Sequence, residues 1–108
     1  MSYSVFTIPP FDRQLKRLTK KFPSLKTEYA NLVDSLESRP VQGVHLAVDC
    51  YKIRVAIKSK GKGKSGGARI IVQVRLEANI VYLLTIYDKS EIESLSNKEI
   101  QYLLSFIE

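Results

Sequence analysis

The chain has 108 residues, 44% of them hydrophobic, which is enough for one modest core and too apolar for a disordered chain. A single cysteine, Cys50, excludes an internal disulfide and fits a reducing compartment, and one histidine without a Cys/His cluster excludes a structural zinc site. The net charge of +6 is local: residues 50–76 hold eight Lys or Arg and no Asp or Glu, whereas residues 1–49 carry +2 and residues 77–108 carry −4.

The chain opens with MSYSVFTIPPF, which has neither a basic leader nor a long apolar run, so no signal peptide is expected. Within it Tyr3–Ile8 alternates and predicts a short strand stopped by Pro9-Pro10. Asp12 is placed to cap a helix running to about Phe22, with Phe11, Leu15, Leu18 and Phe22 as its apolar stripe. Pro23-Ser24 restarts a second helix, striped by Leu25, Tyr29, Leu32, Val33 and Leu36 and ended by Arg39-Pro40. Tyr51–Ile57 alternates strictly: Tyr51, Ile53, Val55 and Ile57 share one face, and Lys52, Arg54 and Lys58 the other.

Ala68–Leu76 repeats the pattern, with Ala68, Ile70, Val72 and Val74 inward and Arg69, Gln73 and Arg75 outward. Ile80–Tyr87 is apolar on both parities and so predicts a strand inside the sheet, joined to its predecessor as a hairpin. The apolar run 78–87 is too short to span a membrane. Ser96-Asn97-Lys98-Glu99 is a capping-box pattern opening a last helix with Ile100, Leu103, Leu104 and Ile107. The order is β-α-α-β-β-β-α: an α+β fold with two N-terminal helices on a small, mainly antiparallel, four-stranded sheet plus a C-terminal helix. A single domain over residues 1–108, in the cytoplasm, is expected.

If the apolar face of the sheet packs on the two helices, Lys52, Arg54, Arg69 and Arg75 are left together on the open face. Like charges so close need solvent or a bound anion, and a cationic strand with a basic loop is the footprint of a polyanion, most often nucleic acid. A solvated basic surface is the simpler alternative. Gly63-Lys64-Ser65 resembles the end of a phosphate-binding P-loop, but Lys58 stands where the earlier glycine is required and the segment runs into a strand, not a helix. A backbone that approaches a phosphate at Gly66-Gly67, with Lys62 and Lys64 supplying charge, remains open beside a plain hairpin loop.

Other chemistry is sparse. His45 reads as a loop residue and Cys50 as a small buried hydrophobe. Asp88, Glu91, Glu93, Glu99 and Glu108 are scattered and read as a solvated surface, and no carboxylate cluster suggests a two-metal nuclease. Phosphodiester cleavage would then rely on cations to stabilise the pentavalent phosphate and on a tyrosine or lysine to move protons. Tyr87, beside Asp88 and Lys89 at a strand end, is that candidate, against the simpler reading of a core or rim tyrosine.

Asp49-Cys50-Tyr51-Lys52-Ile53-Arg54, Lys64-Ser65-Gly66-Gly67-Ala68-Arg69-Ile70-Ile71, Val81-Tyr82-Leu83-Leu84 and Tyr87-Asp88-Lys89-Ser90 together resemble the RelE/ParE superfamily of type II toxin–antitoxin toxins, on the RelE/HigB-like side. The resemblance implies a ribosome-dependent mRNA endonuclease that inhibits translation, working without a cofactor or membrane. It implies that Lys52, Arg54 and Arg69 contact mRNA and stabilise the cleavage transition state; for the acid/base, Tyr87 or Lys64 is the candidate from the residues themselves. Lys58, Lys62, Lys64, Arg75 and Lys89 are the accompanying candidates for holding RNA phosphates. It also implies a cognate antitoxin, whose acidic segment would suit the basic stretch. The chain departs from the family pattern at Lys89-Ser90, where RelE has an arginine, and at Leu95, where it has a tyrosine. A gyrase-binding, ParE-like inhibitor and a non-toxic binding protein are the alternatives.

Overall fold

Strand β1 (Ser4–Thr7) ends one residue before helix α1 (Pro9–Lys21), so Pro9-Pro10 do more than stop the strand. They occupy the first helical turn, where a missing N–H costs nothing and the fixed φ suits the helix. Asp12 is therefore not the cap that its sequence position suggested. It lies inside the first turn, where its carboxylate complements the helix dipole. The computed structural model describes residues 2–60 and 66–107.

Helix α1 buries Phe11 and Leu18, and helix α2 (Leu25–Ser38) buries Leu25 and Leu36, with Tyr29, Leu32 and Val33 partly buried. The strands that follow are β2 (Val44–His45), β3 (Cys50–Val55), β4 (Ala68–Arg75) and β5 (Ile80–Asp88). They form one sheet in the order β1-β5-β4-β3-β2, five strands where the sequence predicted four. Only β1 runs parallel to its neighbour, β5; the other pairs are antiparallel.

The added strand, β2, is joined to β3 by a turn that Cys50 closes by donating its N–H to the Ala47 carbonyl. Both central residues, Val48 and Asp49, have positive φ, as primed hairpin turns require. Valine at such a position is rare, which is why this hairpin left no mark in the sequence. The β4–β5 hairpin is as expected, turning through a 3-10 segment (Leu76–Ala78) and Asn79 at φ 56°.

The alternation expected of β3 and β4 is present, and Ile53, Val55, Ala68, Ile70, Val72 and Val74 are all buried. The opposite face, however, is not open. Helix α3 (Asn97–Leu104), started by a complete Ser96/Glu99 capping box, lies against it together with the segment leading from β5. Ile100, Leu103 and Leu104 bury themselves there, so every residue of β4 except Arg75 is buried on both faces.

Candidate functional site

Strand register decides which cations meet. Arg54 of β3 lies directly opposite Arg69 of β4, which in turn lies opposite Tyr87 of β5. One step along, Lys52 lies opposite Ile71, which faces Thr85. Residues two apart on a strand share a face about 7 Å apart, so Lys52, Arg54, Arg69 and Tyr87 form one group on the side of the sheet covered by α3.

Tyr87 belongs to this group because of a bulge. Val72 pairs with Leu83 but Ile71 pairs with Thr85, leaving Leu84 as an extra residue in β5. Without it, Tyr87 would share the face of Val81 and Leu83; the bulge re-aims it to the side of Arg69. The same irregularity explains why β5 reads as apolar on both parities, since Leu83 and Leu84 are both fully buried.

The group is graded in exposure. Arg54 is exposed and Lys52 half-buried, but Arg69 is only 3% exposed and Tyr87 only 2%. The Arg69 guanidinium donates to the Ala68 carbonyl at 3.1 Å. The Tyr87 hydroxyl is buried without a hydrogen-bond partner among the described residues. Burial pushes its pKa above the ordinary tyrosine value, with the Arg69 charge opposing the rise, so the phenol holds its proton beside a cation.

Tyr87 and Leu95 both line two clefts of about 230 and 240 Å³. The first runs between the start of α1, β5 and α3, past Arg13, Ile92 and Tyr102. The second lies between β2, β3, β4 and the start of α3; Leu46, Ile71, Leu95 and Ile100 give its apolar walls, and His45, Lys52, Ser94 and Asn97 its polar ones.

The remaining predicted residues are dispersed. Arg75 is at the far end of β4, opposite Ile80, where its guanidinium stacks 5.4 Å from the Tyr82 ring and donates to Gln73. Lys58 does not continue the face of Lys52 and Arg54. It begins a 3-10 turn (Lys58–Lys60) and its N–H donates to Glu28 of α2. Lys89 is half-buried and its N–H donates to the Gly67 carbonyl, tying the end of β5 to the start of β4. Lys62 and Lys64 lie outside the described residues.

Gly67 has a structural reason of its own: a Cβ there would sit 2.1 Å from the Val55 carbonyl oxygen, so β3 and β4 close only over a glycine. Cys50 is buried as expected, its thiol pushed up to about 11 by burial and by Asp49, which makes it a poor nucleophile. His45 is exposed in β2, its ring edge-on to Tyr51.

Asp88, expected among the solvated surface acids, is instead buried in a pair with Lys60. It is 1% exposed and accepts from Lys60 Nζ and from the Ser90 N–H and hydroxyl. Burial pushes its carboxyl up, but the hydrogen bonds from Lys60 and Ser90 more than offset this and hold it below the ordinary carboxylate range. The pair fixes the end of β5 one residue beyond Tyr87. Twenty-eight residues separate its members, so neither periodicity nor motif spacing could announce it.

Among the described residues no helix is long and apolar enough to cross a membrane. The fold is similar to that of a free E. coli RelE toxin with two arginines replaced by alanine (18% identity, TM-score 0.58, covering 98% of this chain and 94% of that one). The isolated E. coli RelE toxin matches at 20% identity and TM-score 0.57, over 96% of this chain and 98% of that one. A chain of the RelBE2 toxin–antitoxin complex of Mycobacterium tuberculosis matches at 16% identity and TM-score 0.54, over 82% and 92%. The protein-family model described as RelE toxin of the RelE/RelB toxin–antitoxin system matches residues 12–106. With that match spanning the helices, β2 to β5 and the row of Arg54, Arg69 and Tyr87, this chain belongs to the RelE toxin family.

Proposed function

We propose that residues 1–108 form a single toxin domain that acts in the cytoplasm as an mRNA endonuclease on the translating ribosome. The observation that carries this is the in-register row of Arg54, Arg69 and Tyr87 with Lys52 beside it. Two arginines directly opposite each other on neighbouring strands repel, and a phosphate between them relieves that cost. Negative charge grows on the phosphate as the 2′-hydroxyl attacks, so Arg54, Arg69 and Lys52 are placed to stabilise the transition state more than the ground state.

Tyr87 takes the proton-transfer role. The phenol is protonated at neutral pH, and the Arg69 charge opposite it favours release of that proton to the departing 5′-oxygen. Lys89 and the loop lysines Lys62 and Lys64 supply outer charge for the RNA backbone, with Lys58 and Arg75 as more distant contributions. A cognate antitoxin partner fits the RelBE2 likeness, and an acidic segment of it would neutralise the stretch 50–76.

The test is mRNA cleavage in a translating extract, set against ribosome-free RNA. Arg54→Ala removes an exposed cation without disturbing the core and is expected to lower cleavage about 100-fold, in line with the loss of one transition-state donor. Arg75→Ala, at the far end of β4, is expected to change it less than threefold. Intact mRNA with the wild-type chain would refute the nuclease reading, and DNA damage in its place would point to gyrase.

A further inference from the structure

We propose that helix α3 and the connector 91–96 leading to it form an autoinhibitory cover over Arg69 and Tyr87, latched shut by Glu91 against Arg17 and Lys21 of α1. What the cover inhibits rests on the nuclease reading; the latch itself does not. Arg54 is exposed and Lys52 half-buried, whereas Arg69 is 3% exposed and Tyr87 2%. An RNA phosphate therefore reaches Arg54 in this state but touches neither the Arg69 guanidinium nor the Tyr87 phenol. Leu95 of the connector borders Tyr87 in both clefts, with Ile100 of α3 beside it in one and Leu103 in the other. Lifting these residues completes the row.

Two observations mark the cover as a part that opens. Its attachment is slight. Beyond Ser90, which is bonded to Asp88, the Glu91 and Ile92 N–H groups turn back onto the Asp88 carbonyl, and residues 91–94 are all exposed. Helix α3 is only eight residues long and anchors through Ile100, Leu103 and Leu104. The closed state also carries a cost, because the Tyr87 hydroxyl is buried without a hydrogen-bond partner among the described residues. Water reaches that hydroxyl once the cover lifts, which narrows the gap between the two states.

Glu91 supplies the hold. Its carboxylate accepts from Arg17 Nη2 at 2.9 Å and from Nη1 at 3.4 Å, a two-point grip. Lys21 Nζ, one turn further along α1, stands 3.6 Å away. Seventy-four residues separate Arg17 from Glu91, so the contact fastens one element to another. The three side chains are between 36% and 52% exposed, which makes the grip weak and open to screening by salt. A latch needs that weakness: it biases the cover towards closure without locking it.

The experiment uses the free full-length chain, with amide hydrogen exchange and tyrosine nitration by tetranitromethane mapped to Tyr87, followed by the cleavage assay. Glu91→Gln is expected to speed exchange in α3 and nitration of Tyr87 about threefold, the worth of one exposed ion pair, while α2 stays as it was. Arg17→Glu should do the same, and joining it to Glu91→Arg should bring both rates back towards those of the wild type. Sodium chloride at about 1 M should open the wild type as Glu91→Gln does and add little to that variant. Unchanged rates in α3 and at Tyr87, or rates that rise equally in α2, would overturn the latch. In the translating extract Glu91→Gln should cut mRNA faster; slower cutting despite a looser α3 would overturn the inhibitory role. A latch that behaves as described in a chain that never cuts mRNA would sink the nuclease reading alone. Cutting by the wild type with no effect of Glu91→Gln on exchange would sink the latch alone.

Discussion

Replacing Lys60 with methionine tests whether the buried pair at the end of β5 holds together the end of the sheet that carries Arg69 and Tyr87. The substitution keeps most of the side-chain length and deletes only the charge. Asp88, 1% exposed, then retains its hydrogen bonds from Ser90 but loses its counter-ion. A charge-assisted hydrogen bond is worth about 1.5–3 kcal/mol. The Lys60 ammonium also lies 5.4 Å from the Phe22 ring, a contact worth about 0.5–1 kcal/mol at a partly exposed site.

Breaking a fully buried pair costs about 3–5 kcal/mol. Lys60 keeps 13% side-chain exposure, so the lower end applies and the expected loss is about 3 kcal/mol. In a domain of this size that corresponds to a fall in Tm of roughly 12–24 °C. Urea unfolding at neutral pH should show a lower midpoint with an unchanged slope.

The pH dependence gives the sign. The folded Asp88 carboxyl titrates below its unfolded value, so its contribution is present above the ordinary range near pH 4 and is lost as pH falls through the folded value. In Lys60→Met burial is opposed by Ser90 alone. The carboxyl then titrates higher, and the acid loss of stability begins at higher pH. A cost under about 1 kcal/mol, or an unmoved acid limb, would refute the reasoning and make this an ordinary surface pair.

Tyr87→Phe should separate stability from activity: removing an unpartnered buried hydroxyl should raise stability by about 1 kcal/mol, whereas losing the proposed proton donor should cut cleavage at least 100-fold. Urea unfolding and the cleavage assay on the same preparation check both halves. Gly67→Ala should cost about 3 kcal/mol, because the new Cβ meets the Val55 carbonyl and the β3–β4 pair has to spread. Amide exchange should report the damage in β3 and β4 and leave α2 protected.

Much of this fold is legible in the sequence because its signals are local. The stripes of α1 and α2, the alternation of β3 and β4, the β4–β5 hairpin and the Ser96/Glu99 box each depend on residues within a few positions of one another. What escaped depends on distance or on unusual residues. Val48 and Asp49 form a primed turn without the Asn-Gly or Gly that normally marks one, so β2 was missed.

The amphipathic stripe of α3 predicts that the helix packs, but not that it packs over Arg69, so a face expected to be open is covered. The grouping of Lys52 with Arg54 followed from alternation alone. Bringing Tyr87 to the same side required the Leu84 bulge, which reads in the sequence only as a strand apolar on both parities.

The parallel pairing of β1 with β5 governs how the chain assembles. Ser4 meets Ile80 and Thr7 meets Leu83, so β1 has no sheet partner until residues 80–83 have been made. Contacts this distant in sequence are paid for in loop-closure entropy and slow the folding rate. A nascent chain that stops short of residue 80 lacks the strand on which both β1 and β4 depend, together with Tyr87. A fragment of that length therefore leaves Arg54 and Arg69 without the third member of their row.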